Sequence, residues 1–316
     1  MRVLVTGGAG FIGSNLVDRL MAEGHSVDAV DNLSSGRLSN LADARASADG
    51  EFSFHQIDIR DANTAELIEK RAPEVVFHLA AQIDVRISVQ DPVLDAMINI
   101  IGSLNVLEGA RRAGARKVVF ASSGGTIYGE VDAEDLPVTE AHAQNPVSPY
   151  GVSKKATSDY LNAYRELHQI EFTSLALANV YGPRQDPHGE AGVVAIFANK
   201  LLADEQCRIF GDGGQTRDYV FVDDVVDAFV RAADKGSGLV CNIGTGIETS
   251  VNELYNVMAA NAGVTLEPEH APARKGELER SCLDSGRAKL HLGWEPFTGL
   301  AEGTAAVLDY FRGASA

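Results

Sequence analysis

The strongest constraint on this chain is an alternation. Runs rich in Val, Ile and Phe at Arg2–Thr6, Ser26–Asp31, Phe52–Asp58, Glu74–Ala80, Lys117–Ser123 and Phe172–Asn179 read as strands. Between them, the segments Gly10–Ala22, Asn63–Arg71, Pro92–Ala113 and Pro149–Gln169 carry helical periodicity. Strand and helix in turn predict an α/β fold, a doubly wound parallel sheet with helices on both faces. The strand runs are apolar throughout rather than alternating, as expected when both faces of a sheet are covered. After Asn179 strands shorten and loops lengthen. Helices are predicted at Asp223–Ala233 and Thr298–Phe311, and Ser250 and Glu253 have capping-box spacing before another. The expected organisation is a nucleotide-binding domain over 1–179 with a returning segment near 212–242. A smaller α/β substrate-binding lobe is expected from 180–211 and 243–316.

The 316 residues suffice for a large core. Lys and Arg number 27 against 44 Asp and Glu, a formal charge of −17, and no basic run is present, so a nucleic-acid partner is not expected. Mean hydropathy is −0.05, and no uninterrupted run of about 20 apolar residues suggests a membrane partner. Glycines follow Met1–Thr6 too closely for a signal-peptide core. Cys207, Cys241 and Cys282 are too widely spaced for a zinc cluster or a disulfide framework. These features predict a cytoplasmic protein without a metal.

The segment from Thr6 to Gly13 joins the first strand to the first helix with glycines at 7, 10 and 13. Such glycines permit a tight turn, close approach to a pyrophosphate and tight helix–strand packing, and the helix N-terminus with Phe11 and Ile12 offers free N–H groups. A glycine-rich turn alone is weak evidence; the strand before and helix after it are what give it meaning. Asp31 closes the second strand, 18 residues beyond Gly13, where a carboxylate binds ribose hydroxyls and repels a 2′-phosphate. The cofactor expected is therefore NAD, with Arg37 the one nearby residue that suits NADP. Asn32, Ser35 and Gly36 in the following turn, Asp58 and Ile59 after the third strand, and Leu79, Ala80 and Ala81 after the fourth fall at strand carboxyl ends, where ligands of such sheets collect.

Ser148 and Pro149 have the chemistry of an N-cap and a first helical residue. Tyr150 and Lys154 are then one turn apart on one face, a spacing also common on ordinary amphipathic helices. A neighbouring ammonium and the positive helix end both favour the phenolate of Tyr150. In this context the chain resembles the short-chain dehydrogenase/reductase superfamily, and its extended branch of NAD-dependent sugar epimerases and dehydratases. The resemblance runs over nearly the whole chain: Thr6–Gly13, His78–Ala81, Asn99, Ser122–Gly129, Tyr150 with Lys154, Asn179–Arg184 and Arg217–Asp224.

The resemblance implies a Rossmann fold and a catalytic pair: Tyr150 removes a proton from a sugar hydroxyl as hydride leaves the same carbon, and Lys154 holds the nicotinamide ribose. Asn99 joins the implied cofactor contacts. In the family's 4,6-dehydratases the loop after the fifth strand carries an adjacent Asp-Glu pair; here Gly125 and Thr126 stand there, so 4-epimerisation is the better expectation. The family's usual hydroxyl falls on Gly124, leaving Thr126, the preferred replacement, or Ser123 as the catalytic and substrate-binding hydroxyl. Asn179, Arg217, Arg274 and Glu277 match positions that hold a substrate's diphosphate and nucleoside.

The implied substrate is a nucleotide-diphosphate sugar, UDP-galactose and UDP-glucose foremost. UDP-N-acetylhexosamines, UDP-uronic acids or dehydration of dTDP-glucose are the alternatives, and an inactive NAD-binding regulator is the non-enzyme reading. The helices at Pro92–Ala113 and Pro149–Gln169 resemble those that pair in the family's homodimers. Ser281 matches a position where a large aromatic confines the pocket to plain hexoses. Ser281→Tyr is expected to remove turnover of N-acetylhexosamine substrates selectively, measured as the ratio of rates on UDP-N-acetylgalactosamine and UDP-galactose; an unchanged ratio would contradict the assignment.

Overall fold

The structure is a computed structural model describing residues 1–47, 51–187, 192–273 and 278–314. Among these, β1 (Arg2–Thr6), β2 (Ser26–Asp31), β3 (Phe52–Gln56), β4 (Val75–His78), β5 (Lys117–Ser123) and β6 (Glu171–Leu177) join a seventh strand, Leu239–Ile243, in one sheet. The order is Leu239–Ile243, β6, β5, β4, β1, β2, β3, with every pairing parallel. Strand order reverses beside β1, the point at whose strand carboxyl ends the ligands of such sheets collect.

Alternate residues of the strands feed two cores. Val3 and Val5 of β1 and Phe77 of β4 pack with Leu16 and Leu20 of the helix Phe11–Ala22 and with Phe229 of Val222–Ala232. Leu4 and Val76 point the other way, toward Ile68, Val106, Leu107 and Leu161. This two-sided burial is the reason the strand sequences show no polar alternation.

Four predicted elements differ in informative ways. The third and fourth strands end at Gln56 and His78, short of Asp58 and Ala80. In the fourth, the Leu79 and Ala80 amides turn to the Thr6 hydroxyl, at 3.2 Å each. The sixth ends at Leu177; Asn179–Tyr181 is a separate short strand, paired with Tyr219–Phe221. The stretch Pro92–Ala113 is helical throughout but includes a π-helical segment, Met97–Gly102, between Pro92–Ala96 and Ser103–Ala113. That stretch is long and apolar enough to cross a membrane, and 44% of its most apolar window is buried in the protein. It packs on the helix Asn63–Arg71, where Gly109 abuts Ala65 and Ile68. A core helix of a layered α/β domain has this same composition.

The C-terminal part packs Val193–Leu202, Val251–Ala262 and Leu300–Ala314 together. Ser250 forms the expected capping box: its hydroxyl accepts from Glu253 N at 3.1 Å, and Glu253 accepts from Ser250 N at 2.8 Å. Asp218 ties this part to the sheet. One carboxylate oxygen accepts from Thr245 N and its hydroxyl, at 2.8 and 2.6 Å, and the other from Gly246 N and Leu283 N, at 3.1 and 3.2 Å. Burial raises the Asp218 pKa, and these four donors oppose the rise. An amide here must turn NH₂ toward two donors. Asp218→Asn is therefore expected to lower the unfolding free energy by about 2–3 kcal/mol, read from urea denaturation; an unchanged midpoint and slope would refute the role of this carboxylate.

Candidate active site

The cofactor end is assembled where β1, β2, β3 and β4 finish. Gly7 has φ +70°, and a Cβ on it would stand 2.8 Å from the Ala80 amide nitrogen. A Cβ on Gly13 would collide with the Gly7 carbonyl oxygen. The turn thus brings the first helix's N-terminus against the end of β4 at backbone contact distance. Gly10 is that helix's N-cap and has no capping side chain, so the amides at Phe11, Ile12 and Gly13 lead an N-terminus without an acidic residue in its first turn. Such an end favours an anion.

Asp31 is 8% exposed, and its carboxylate accepts from Ala9 N at 3.0 Å and Leu33 N at 2.8 Å. Burial raises its pKa, while these backbone donors oppose the rise. Gly36 packs directly on the Asp31 carboxylate oxygens. Asn32 donates to Asp58 at 2.8 Å, and Asp58 is held well below the usual carboxylate range by hydrogen bonds from Arg60. Ser35 is exposed at the rim. Arg37 pairs at 3.3 Å with Asp186, which directs its guanidinium there. Ile59 turns its side chain under Gly102 into the core, so only its backbone borders the site. A cradle that any side chain would fill, an open helix N-terminus and a carboxylate at the second strand's end fit NAD.

Leu79, Ala80 and Ala81 follow β4 toward Asn99, which holds the loop by accepting from Gln82 N at 2.8 Å and donating to Gln82 O at 2.9 Å. Beneath them lies a buried relay. The Thr6 hydroxyl accepts the two amide protons of Leu79 and Ala80, so its own proton points to His78 Nδ1 at 2.7 Å. His78 is then a neutral Nε2–H tautomer donating to Ser103 at 2.8 Å, and Ser103 donates to the Asn99 carbonyl at 2.6 Å. Burial depresses the His78 pKa to about 3, consistent with a neutral ring.

At the chemical end, Ser148 caps the helix Pro149–His168 by accepting from Gly151 N at 3.2 Å, with Pro149 at its start. Tyr150 and Lys154 are both buried on the face toward β5. Lys154 Nζ donates to the Ala121 carbonyl at 2.9 Å, lies 4.8 Å over the Phe120 ring and is 5.7 Å from the Tyr150 ring centroid. Burial lowers the Lys154 pKa to about 8, with Asp95 opposing the fall. Burial also raises that of Tyr150, which the Ser123 hydrogen bond opposes and the Asp95 charge reinforces. The expected pull toward phenolate is outweighed here, because burial dominates and the Lys154 ammonium is engaged by a backbone carbonyl.

In the loop after β5, Ser123 bears on Tyr150 more directly than Thr126 does. The Ser123 side chain acts on Tyr150 to lower its pKa, whereas the Thr126 hydroxyl makes only a long, 3.5 Å contact to the Ser123 carbonyl. Gly124 cannot carry a hydroxyl side chain without displacing Leu283, whose Cδ1 occupies the space of its Cβ. Gly125 has open space there. Ser281 lines one small cleft with Gly124, Gly125, Tyr128, Arg280 and Leu283.

The remaining substrate candidates sit nearby or fall outside view. Asn179 is exposed at the start of its short strand, its amide bonded to Asp218 O at 2.9 Å. Arg217 lies on Thr216–Arg217, paired with Thr249–Ser250, and donates to the Thr216 carbonyl at 2.7 Å. Arg274 and Glu277 lie outside the described residues. Sequence reasoning missed Gln82, Asp95 and the Arg280–Glu248 ion pair beside Ser281. The one local signal among them is the four-residue spacing of Asp95 and Asn99.

A dinucleotide cradle facing a buried Tyr-Lys pair defines an extended short-chain dehydrogenase/reductase. Residues 3–244 match the NAD-dependent epimerase/dehydratase family, and the chain belongs to that family. It is 54% identical to the UDP-glucose 4-epimerase of Mycolicibacterium smegmatis over the full length of both chains. The structure of the Thermotoga maritima UDP-glucose 4-epimerase with UDP-glucose superposes with a TM-score of 0.94 at 47% identity, covering all of both chains. That of the Thermus thermophilus enzyme complexed with NAD gives 0.90 at 43%, covering 99% of this chain and all of the other. The cofactor is NAD. Gly13→Ala is expected to purify folded but with bound NAD reduced at least about tenfold, measured by nucleotide release on denaturation; wild-type NAD content would refute the cradle.

Proposed function

We propose that this chain is a UDP-glucose 4-epimerase, interconverting UDP-galactose and UDP-glucose through a 4-keto sugar. One observation carries the reading: Ser123, Tyr150 and Lys154 converge at the carboxyl end of β5, beside the dinucleotide cradle, with no carboxylate at Gly125 or Thr126. Elimination of water needs a positioned acid and base in that loop, and the loop offers neither.

Bound NAD supplies the acceptor and later the donor of a hydride at the sugar's C4. Tyr150 takes the O4 proton as that hydride leaves, so C4 becomes a ketone. Ser123 bridges O4 and the phenol and carries the proton between them. The positive charge that the oxidised cofactor would bring beside Tyr150 opposes the burial that otherwise keeps it protonated, and Lys154 would hold the nicotinamide ribose. Presentation of the ketone's other face, return of hydride to C4 and return of the Tyr150 proton to O4 invert the carbon and restore every group.

The division of labour follows the chain. Residues 1–179 with the stretch near 212–242 hold NAD through Gly7, Gly10, Gly13, Asp31 and the loop ends, and 180–211 with 243–316 hold the UDP-sugar. Asn179, Arg217, Arg274 and Glu277 are assigned to the diphosphate and nucleoside; Arg suits this because its planar fork bonds two oxygens at once. The small side chain of Ser281, beside open space at Gly125, supports entry of N-acetylated hexoses as well.

Val93, Met97 and Ile101 of one helical stretch and Val152 of another are exposed apolar side chains. They support pairing of two copies as a cytoplasmic homodimer, as does the burial of all three free cysteines.

Purified protein incubated with UDP-galactose and no added NAD should form UDP-glucose up to a fixed ratio, followed by separation of the nucleotide sugars. Tyr150→Phe should abolish this with NAD retained. Ser123→Ala should slow it about 10²-fold and Thr126→Val much less. No epimerisation by the wild type, or a 4-keto-6-deoxy product from dTDP-glucose, would overturn the reading.

A further inference from the structure

Asp95 is 1% exposed, and no cation forms an ion pair with it among the described residues. It stands on Pro92–Ala96, which packs against the helix carrying Tyr150 and Lys154. Its Oδ1 accepts from Asn99 Nδ2 at 2.9 Å and from Gln82 Nε2 at 3.1 Å. Gln82 is held further at both ends: its backbone is locked to the Asn99 amide, its Nε2 also donates to Asp84 O at 2.9 Å, and its Oε1 accepts from Asp84 N at 2.5 Å. The loop that leaves β4 alongside the glycine turn is therefore closed by one carboxylate.

Asp95 lines one cleft with Ser148, Pro149 and Ser153 at the start of the helix that bears Tyr150 and Lys154, and from there its charge raises the pKa of both groups. Other charges nearby are otherwise engaged. Asp84 and Asp91 cap short helices, Asp84 accepting from Arg86 N and Ile87 N and Asp91 from Leu94 N. Arg86 pairs with Asp84 at 3.7 Å, and His78 of β4, facing Lys154, is neutral. Burying a lysine without an opposing charge drives it toward the neutral amine. The ammonium of Lys154 otherwise meets a carbonyl and an aromatic face, neither of which carries a full charge.

We propose that Asp95 is a positioning residue of the active site: it clamps the Gln82 loop onto the Asn99 turn and serves as the buried counter-charge of Lys154. The proposal rests on the epimerase reading for its activity assay, though its geometry does not. Asp95→Asn keeps an acceptor oxygen for Asn99 and Gln82 while deleting the charge. Lys154 then loses its proton at lower pH, so the alkaline limb of kcat moves to lower pH. Tyr150 loses a charge that opposed its ionisation, so the acid limb moves the same way.

The test is the pH profile of kcat for UDP-galactose epimerisation by the NAD-loaded wild type and Asp95→Asn. The expected result is displacement of the whole profile to lower pH by about half a unit or more. Asp95→Ser supplies a second neutral variant should the amide fail to fold. Gln82→Ala, which cuts the clamp and leaves the charge, should loosen NAD without moving the profile. A uniform fall in kcat with the profile unmoved in the neutral variants would overturn the counter-charge, as would a Gln82→Ala profile displaced as far as that of Asp95→Asn. If the wild type does not epimerise, the epimerase reading fails by itself. The Asp95 proposal is then read from tyrosinate absorbance against pH, taking the difference between each protein and its Tyr150→Phe partner: the Tyr150 signal should titrate at lower pH in Asp95→Asn, and an unmoved titration overturns it.

Discussion

The position of the active site hangs on the hydroxyl of Thr6. It ends β1, accepts the Leu79 and Ala80 amides at the end of β4, and donates to His78. These contacts stop β4 from continuing and turn its chain outward beside the glycine loop. Gly7 can sit against Ala80 only because neither backbone has a side chain between them. Through His78 and Ser103 the same hydroxyl is connected to the Asn99 carbonyl, which also accepts from Thr157 of the catalytic helix at 2.9 Å. One side chain thereby links the cofactor turn, the loop past β4 and the helix bearing Tyr150 and Lys154. Each group in that line is buried, so an unmade bond anywhere along it costs the desolvation of a polar group.

The same chain of contacts explains what the sequence reveals. Elements set by local chemistry are legible: β1, β2 and β5 have the predicted limits, as has Asn63–Arg71, and Ser148 with Pro149 and Ser250 with Glu253 start helices as their residue types require. Tyr150 and Lys154 are legible because one turn of helix fixes their relation. Strand ends at His78 and Leu177 are not, since they are decided by Thr6 and by Ile243 and Asp218, which take up the amides of Ala178 and Asn179. That a side chain at position 124 is excluded depends on Leu283, more than 150 residues away, filling the volume above Gly124. No spacing rule carries that information. Asp95 is hidden for a similar reason: its four-residue interval from Asn99 is visible, but its importance comes from a loop bond to Gln82 and from burial.

Gly124 and Leu283 form a packing pair across the two parts of the molecule. A side chain at 124 would have to push back the segment that Asp218 and the bridge between Val138 and Leu283 hold in place. That segment also carries Ser281. With no side chain at 124, the segment carrying Ser281 and Leu283 packs closely on the β5 loop. In the proposed mechanism the hydroxyl beside the phenol is that of the preceding residue, Ser123, at the last position of β5.

A reaction that removes and restores the same hydrogen asks opposite things of one phenol. In the proposed mechanism Tyr150 accepts the O4 proton in the first half and gives it back in the second. A permanently depressed pKa would favour acceptance and hinder return; a permanently raised one would do the reverse. The site contains opposing influences: burial and Asp95 raise the Tyr150 pKa and Ser123 lowers it, while burial lowers that of Lys154 and Asp95 opposes the fall. Oxidised cofactor would bring positive charge beside the phenol and reduced cofactor would not, so the balance of Tyr150 between base and acid would shift with the cofactor's state. Shielding the pair from water would keep that shift strong, because each change of charge acts through a low-dielectric interior.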